Sequence, residues 1–386
     1  MVSGFNTYQT SLIEILNHLE KRGYSVTLFG TRPKNPLSTK SPNIKTVFLP
    51  LKYAPAVSSI LFNLAASIFL PFYMAFHKLD FVLFQPDITV LAAIPSKPLS
   101  KLTRTKFVLD IRSIPVETIG FQGLLQKIGF QTSVIVAKRL FSGMTIITNP
   151  MKEEICLNFR IDPAKVGVWT SGVATATFNP EAHVFDGREL RNRLGLTDKF
   201  VVFYHGALSA TRGIFETVDA MRIVKAKNPG ILLFMLGAGP ISNQLEEFVK
   251  KEQLEKNVII HNPVPYSEVP KYIAMSNVCI SPLPSHPYWR FQSSLKLLEY
   301  MSMRKTTILT RIPAHTAVVG DAKCGIYISS TKPEKIAEAI LFAYERKDQL
   351  DELGKTGRKI VTERYTWDKV SEDLDNYLEE IEERAR

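Results

Sequence analysis

Short apolar runs separated by helix-length amphipathic stretches recur along the whole chain, and this alternation leaves few folds open. In the first half the runs fall at residues 25–29, 46–49, 81–84, 107–111 and 145–148. A helical spacing of Leu12, Ile15, Leu16 and Leu19 precedes them. The second half repeats the pattern at 201–204, 231–236, 258–260, 278–280, 307–309 and 325–328. Runs this apolar read as strands buried on both faces, which makes the sheets parallel and helix-covered. Two successive arrays predict two doubly wound, Rossmann-like α/β domains facing each other across a cleft.

The turn-forming pairs Asn179-Pro180 and Asp186-Gly187 and the charged stretch 189–193 mark the expected boundary. The first domain then spans 1–185 and the second 186–366. A long acidic helix over 367–386 is expected to pack back toward the first domain. A domain of this kind opens on an apolar strand that leads into a glycine turn. Here the chain reads Met1-Val2-Ser3-Gly4-Phe5 and enters its first helical pattern almost at once. The first strand of the N-terminal domain is therefore expected to be missing. Either the chain starts downstream of the true beginning, or another segment fills that place, since an empty central position would leave neighbouring backbone groups unpaired.

At 386 residues, 45% hydrophobic and 22% charged, the chain can bury two ordinary cores. A formal net charge of +11 calls for an anionic partner. No nucleic-acid module and no dense Lys/Arg run appears, so phosphorylated ligands and an anionic membrane surface are expected in place of nucleic acid. The three cysteines, Cys156, Cys279 and Cys324, form no CxxC pair and read as buried thiols in a reducing compartment. No metal-ligand spacing is present, and Asp373 with Asp375 reads as a solvated helix face. No signal peptide is recognised. Residues 53–77 carry no formal charge, and 60–76 are strongly apolar, interrupted by Asn63 and Pro71. A buried helix, a helix lying on a membrane and a true span all remain open for this segment. The expected location is cytoplasmic, or peripheral on the inner face of the cell membrane.

The segment 293–301 carries the clearest chemistry. Ser293 or Ser294 can cap a helix whose first-turn N–H groups and dipole favour an anion. Lys296 adds a full charge in that turn, and Glu299, one turn on, can accept hydrogen bonds from paired sugar hydroxyls. Together they suit the diphosphate and ribose of a nucleotide sugar. An ordinary capped amphipathic helix with a Lys/Glu pair at i,i+3 explains the same residues.

Several motifs, in order and at the right spacing, resemble the retaining glycosyltransferases of family 4, the glycosyl transferases group 1, which have the GT-B fold. Gly172-Val173-Ala174-Thr175-Ala176-Thr177-Phe178-Asn179-Pro180 is similar to the family's stretch before the hinge. His205-Gly206-Ala207-Leu208 with Arg212-Gly213 resembles its phosphate loop, and Gly237-Ala238-Gly239-Pro240 its Gly-x-Gly-Pro turn. Asn262-Pro263-Val264-Pro265 falls at the base pocket, and Lys296 to Met301 matches the Lys-x-x-Glu-Tyr-Met variant of the donor helix. Tyr365-Thr366-Trp367 resembles the aromatic-Thr/Ser-Trp before the last helix. The resemblance runs over nearly the whole chain and is strongest from about 144 to 367.

It implies a metal-independent transfer of sugar from a nucleotide-diphosphate sugar, with retention, and no cofactor. The acceptor would be a glycan, including a lipid-linked one. Arg212, Lys296 and the donor-helix N–H groups would stabilise the leaving diphosphate. Gly206, Gly213, Gly237, Gly239, Val264 and Ser294 would line the donor, and Glu299 would hold the ribose. Gly4 falls at the acceptor-side turn. Asp110 and Arg112, from Asp110-Ile111-Arg112-Ser113, are candidates for the catalytic floor, with a structural ion pair as the alternative. The chain departs from the family at Ala207, at Ala174 and at Phe291, where the first of two glutamates often stands. A degenerate, non-catalytic subunit and a sugar-nucleotide epimerase of the same architecture are the rival expectations.

Overall fold

Strands joined by helical crossovers pair in parallel, and every strand pair here does so. The computed structural model describes residues 2–3, 10–31, 44–49, 57–115 and 120–386. The chain divides into one unit of residues 1–171 with 367–386 and a second of residues 172–366.

The first unit runs β1 (Val2–Ser3), α1 (Thr10–Lys21), β2 (Thr27–Thr31), β3 (Lys45–Leu49), α2 (Val57–Phe76), β4 (Phe81–Phe84), α3 (Ala93–Thr103), β5 (Lys106–Ile111), α4 (Gly120–Leu140), β6 (Gly143–Ile146), α5 (Asn149–Phe159) and β7 (Val166–Val168). Its sheet order is β3-β2-β1-β4-β5-β6-β7. The missing-strand expectation is corrected here. Val2 pairs with Phe29 and Phe84, and Ser3 with Gly30, so a two-residue strand occupies the central position. Two residues suffice to link the flanking strands, but they carry too little apolar pattern to be read as a strand.

The second unit runs α6 (Val184–Arg193), β8 (Phe200–His205), α7 (Ile214–Lys227), β9 (Ile231–Leu236), α8 (Ser242–Lys251), β10 (Val258–His261), α9 (Val269–Ala274), β11 (Val278–Ser281), α10 (Pro287–Arg290), α11 (Leu295–Ser302), β12 (Thr307–Thr310), α12 (Pro313–Val319), β13 (Gly325–Ile328), α13 (Pro333–Glu345) and α14 (Leu350–Arg364). The sheet order is β10-β9-β8-β11-β12-β13. Side-chain alternation along a strand builds a core on each face. Val202, Tyr204, Leu233 and Met235 face one core, while Val201, Phe203, Leu232 and Phe234 face the other.

The boundary lies at 171/172, not at 185/186. Val173 and Phe178 are buried in a core of the second unit, and Val173 bridges to Thr366. The stretch read as a charged linker is helix α6. A Cβ on Gly187 would lie 2.9 Å from the Ala274 backbone, so this glycine lets α6 press against α9. Arg191 fastens the contact through the Met275 carbonyl at 3.0 Å.

The last helix, α15 (Trp367–Arg384), belongs to the first unit. Asp375 accepts from Arg22 at 3.2 Å and from the Tyr24 hydroxyl at 2.6 Å. Tyr377 packs on β6 and β7, where a Cβ on Gly143 or Gly167 would collide with its ring. Asp375, expected on a solvated helix face, is thus a tether for α15.

Candidate anion-binding site of the second unit

In an open parallel sheet, ligands settle at the carboxyl ends of strands where the order reverses. In the second sheet that place is between β8 and β11, which are neighbours although far apart in sequence. The segments after β8 and β9 meet there backbone to backbone. A Cβ on Gly237 would stand 2.0 Å from the Gly206 carbonyl oxygen, and one on Gly239 2.1 Å from that of Leu208. No side chain fits between them. Gly213 has φ +71°, and its Cβ would stand 2.1 Å from the Pro282 carbonyl oxygen, so the entrance to α7 needs glycine for both conformation and space.

Two cations converge beside this loop pair. Lys296, in the first turn of α11, is 9% exposed, and its Nζ has no hydrogen-bond partner. It lies 4.0 Å from the Tyr204 ring centre and beside Gly206. Burial holds the Lys296 ammonium well below its ordinary range, the Arg212 charge pushes it lower, and Glu299 opposes both. The Arg212 guanidinium stacks over Trp289 at 4.5 Å, and the Trp289 indole donates to the Thr211 carbonyl at 2.7 Å. Burial pushes the Tyr204 hydroxyl up to about 12, against the pull of Arg212. A buried ammonium with a ring beneath it but no hydrogen-bond acceptor, facing another cation, is costly unless an anion joins them.

Glu299 lies one turn further along α11 and is 3% exposed. Its Oε1 accepts from the Tyr266 hydroxyl at 2.7 Å, and its Oε2 lies 3.0 Å from His205 Nε2. A carboxylate keeps further lone pairs for hydroxyl donors. Tyr266 also packs on Phe178 at 5.4 Å. Val264, half-buried in the segment after β10, packs against the same core. Behind the helix, His315 is fully buried, with its Nε2 3.2 Å from the Ser281 hydroxyl and its Nδ1 2.9 Å from the Thr310 carbonyl. Burial pushes its pKa down to about 4, so the ring is neutral.

The structure brings Gly206, Arg212, Gly213, Gly237, Gly239, Ser294, Lys296 and Glu299 into one end of the second unit. Ser294 takes the N-cap position of α11, but its side chain makes no capping bond, which corrects the expected role of its hydroxyl. Sequence reasoning did not assign His205, Tyr204, Tyr266 or Trp289. Tyr266 directly follows the proposed base pocket, and His205 ends β8, so position was the available signal for both.

Asp110 and Arg112 lie in the first unit and are engaged structurally. Asp110 accepts from Thr145 at 2.7 Å and from the Trp169 indole at 3.0 Å. Burial pushes its carboxyl up, while Arg112, Thr145 and Trp169 pull it down. Arg112 stacks on Trp169 at 3.3 Å and donates to the Trp169 and Thr170 carbonyls, and burial lowers its pKa to about 10. The pair braces the segment that leaves the first unit. Gly4 lies outside the described residues. Among the described residues, no three His, Cys, Asp or Glu side chains cluster as metal ligands.

Residues 186–360 match the family model described as Glycosyl transferases group 1. An alpha-D-kanosaminyltransferase of Streptomyces kanamyceticus is 21% identical over 194 residues, 50% of this chain and 49% of that protein. The chain thus spans about half the length of the curated relatives it matches first. A glycosyltransferase from Rickettsia africae superposes with a TM-score of 0.80 at 14% identity, over 98% of this chain and 97% of that one. The Anabaena protein HepE in complex with UDP-glucose gives 0.75 at 14% identity, over 98% of each chain. These likenesses establish the GT-B fold for the chain, and the region that holds the site, residues 186–360, is the part that matches the glycosyl transferases group 1 model.

Proposed function

We propose that the chain is a glycosyltransferase whose second unit binds a nucleotide-diphosphate sugar at the Gly206, Arg212 and Lys296 cluster. The unpartnered, buried ammonium of Lys296 beside Arg212 carries this reading. A diphosphate at this place relieves the repulsion between the two cations and gives Lys296 its missing acceptors. Glu299 takes the ribose hydroxyls, in exchange for or alongside the Tyr266 hydroxyl. The segment around Val264 takes the base.

In the reaction the bond between the anomeric carbon and the diphosphate oxygen breaks, and its electron pair goes to the diphosphate. Arg212 and Lys296 stabilise that charge as it develops, which makes a metal ion unnecessary. Transfer with retention follows the resemblance to family 4. The acceptor is a glycan, and its lipid-linked form would be met at an anionic membrane surface, in keeping with a net charge of +11 and a place on the cytoplasmic side of the membrane.

A screen of UDP-, GDP- and ADP-sugars with added glycan acceptors, read by mass spectrometry with EDTA present, tests the reading. Glycosylated product from one donor, abolished in Glu299→Ala, supports it. Conversion of a donor without transfer points to an epimerase, and inertness with every donor defeats the proposal. The anomeric proton coupling of the product decides between retention and inversion.

A further inference from the structure

Right-handed crossovers put α2, α3 and α4 on one side of the first sheet, and α2 packs on α3. Both α2 and α4 also pack on the short 3-10 turn Ile88–Ala92 between β4 and α3. The three helices therefore share one layer. The inner side of α2 buries Phe62, Ala66, Leu70 and Met74. Its outer side exposes Leu61, Leu64, Ile68, Phe72 and Phe76, between 46% and 79% each. Their spacing by three and four residues keeps them on one stripe. In the same layer α4 exposes Phe121, Leu124, Leu125 and Ile128, and α3 exposes Leu102 at 81%. So many exposed large apolar residues in one helical layer are unusual on a soluble monomer and mark a contact surface.

The charges say what covers it. Helix α2 contains no charged residue, and α3 and α4 contain Lys97, Lys101, Lys127, Lys138 and Arg139 but no Asp or Glu. An apolar stripe whose neighbouring helices α3 and α4 carry cations and no carboxylate complements a surface that offers hydrocarbon and anionic head groups together. Among the described residues, no helix is long and apolar enough to cross a membrane.

We infer that the outer face of α2, α3 and α4 docks on a bilayer containing anionic phospholipid. Helix α2 lies along the boundary between head groups and acyl chains, and the exposed Lys101 of α3 and Lys127 of α4 meet the phosphates, whereas Lys97 turns inward to the Leu140 carbonyl. The first unit alone carries this inference, and it stands whether or not the donor site is read correctly.

Sedimentation of the full chain with phosphatidylcholine vesicles, with and without phosphatidylglycerol, tests it. The expected result is binding to the mixed vesicles that weakens as salt is raised. Ile68→Asp with Phe72→Asp should lower that binding by at least about tenfold, since each side chain loses the transfer of a large apolar group. Lys101→Glu with Lys127→Glu should abolish the preference for the anionic vesicles. Unchanged thermal melting shows that the variants remain folded. Failure of the wild-type chain to bind mixed vesicles, or equal binding by folded Ile68/Phe72 variants, overturns the inference. So does light scattering that shows a dimer dispersed by the same substitutions, because the face would then be an interface between copies of the chain.

Discussion

Lys296→Met should make the protein more stable and a worse binder of nucleoside diphosphates, and the opposed signs are what identify a functional lysine. The ammonium is buried, has no hydrogen-bond partner and is repelled by Arg212. Leaving a buried polar group unpaired costs about 1–3 kcal/mol, so replacing it with an unbranched apolar side chain should stabilise the chain by an amount of that order. A charge-assisted hydrogen bond to phosphate contributes about 1.5–3 kcal/mol, so the same substitution should weaken UDP or GDP binding about ten- to hundredfold. The assays are urea denaturation without ligand and isothermal titration with the diphosphate. Protonation adds an independent sign. Burial and Arg212 lower the Lys296 pKa, and a bound diphosphate should raise it again. At a pH between the two values, binding takes up a proton. The wild-type binding enthalpy should then vary with the ionisation heat of the buffer, and the Lys296→Met enthalpy should vary less. A destabilised Lys296→Met protein that binds the diphosphate as tightly as the wild type would refute the reasoning, because the lysine would then be structural.

Further outcomes follow from the same geometry. Glu299→Ala should weaken a nucleotide sugar by about tenfold or more and leave inorganic diphosphate unaffected in parallel titrations, because the carboxylate is assigned to the ribose. Gly213→Ala should lose about 2 kcal/mol or more in denaturant titrations, since its Cβ would meet the Pro282 carbonyl at 2.1 Å and φ is +71°. His315 is held neutral, with its pKa lowered from 6.5 to about 4. The unfolded chain therefore binds the proton first on acidification, and this histidine's contribution to stability is full above pH 6.5 and declines toward pH 4. The loss amounts to about 3 kcal/mol, and it should appear as a weaker acid dependence in His315→Asn than in the wild type.

The second unit was readable because its strands are long, apolar and punctuated by glycine. Residues 231–236 and 325–328 were placed to the residue. The first unit was harder, and β1 shows why: two residues can complete a parallel sheet without leaving a hydrophobic pattern. Helix α6 was misread as a linker because Asp186-Gly187 forms turns in most settings. Here the glycine exists for contact with α9, which sequence spacing does not reveal. At the site, Lys296 and Glu299 could be named from charge and spacing, and Arg212 from the resemblance of its loop to the family's phosphate loop. That Lys296 lacks a partner, and that Tyr266 and His205 crowd Glu299, depends on tertiary packing. Asp110 and Arg112 became candidates because Asp110-Ile111-Arg112 at a strand end resembles an Asp-x-Arg variant of the family, with a structural pairing left open. Their partners Thr145 and Trp169 are distant in sequence, and only folding shows that these two hold a crossing segment.

The central claim is that the second unit holds a metal-independent site for a nucleoside diphosphate. Titration of the full chain with UDP, GDP and ADP in EDTA, read calorimetrically, tests it most directly. The account predicts saturable one-site binding of at least one of them, strongly weakened in Arg212→Met and Lys296→Met. Absence of binding by all three, or binding that neither substitution changes, would contradict it.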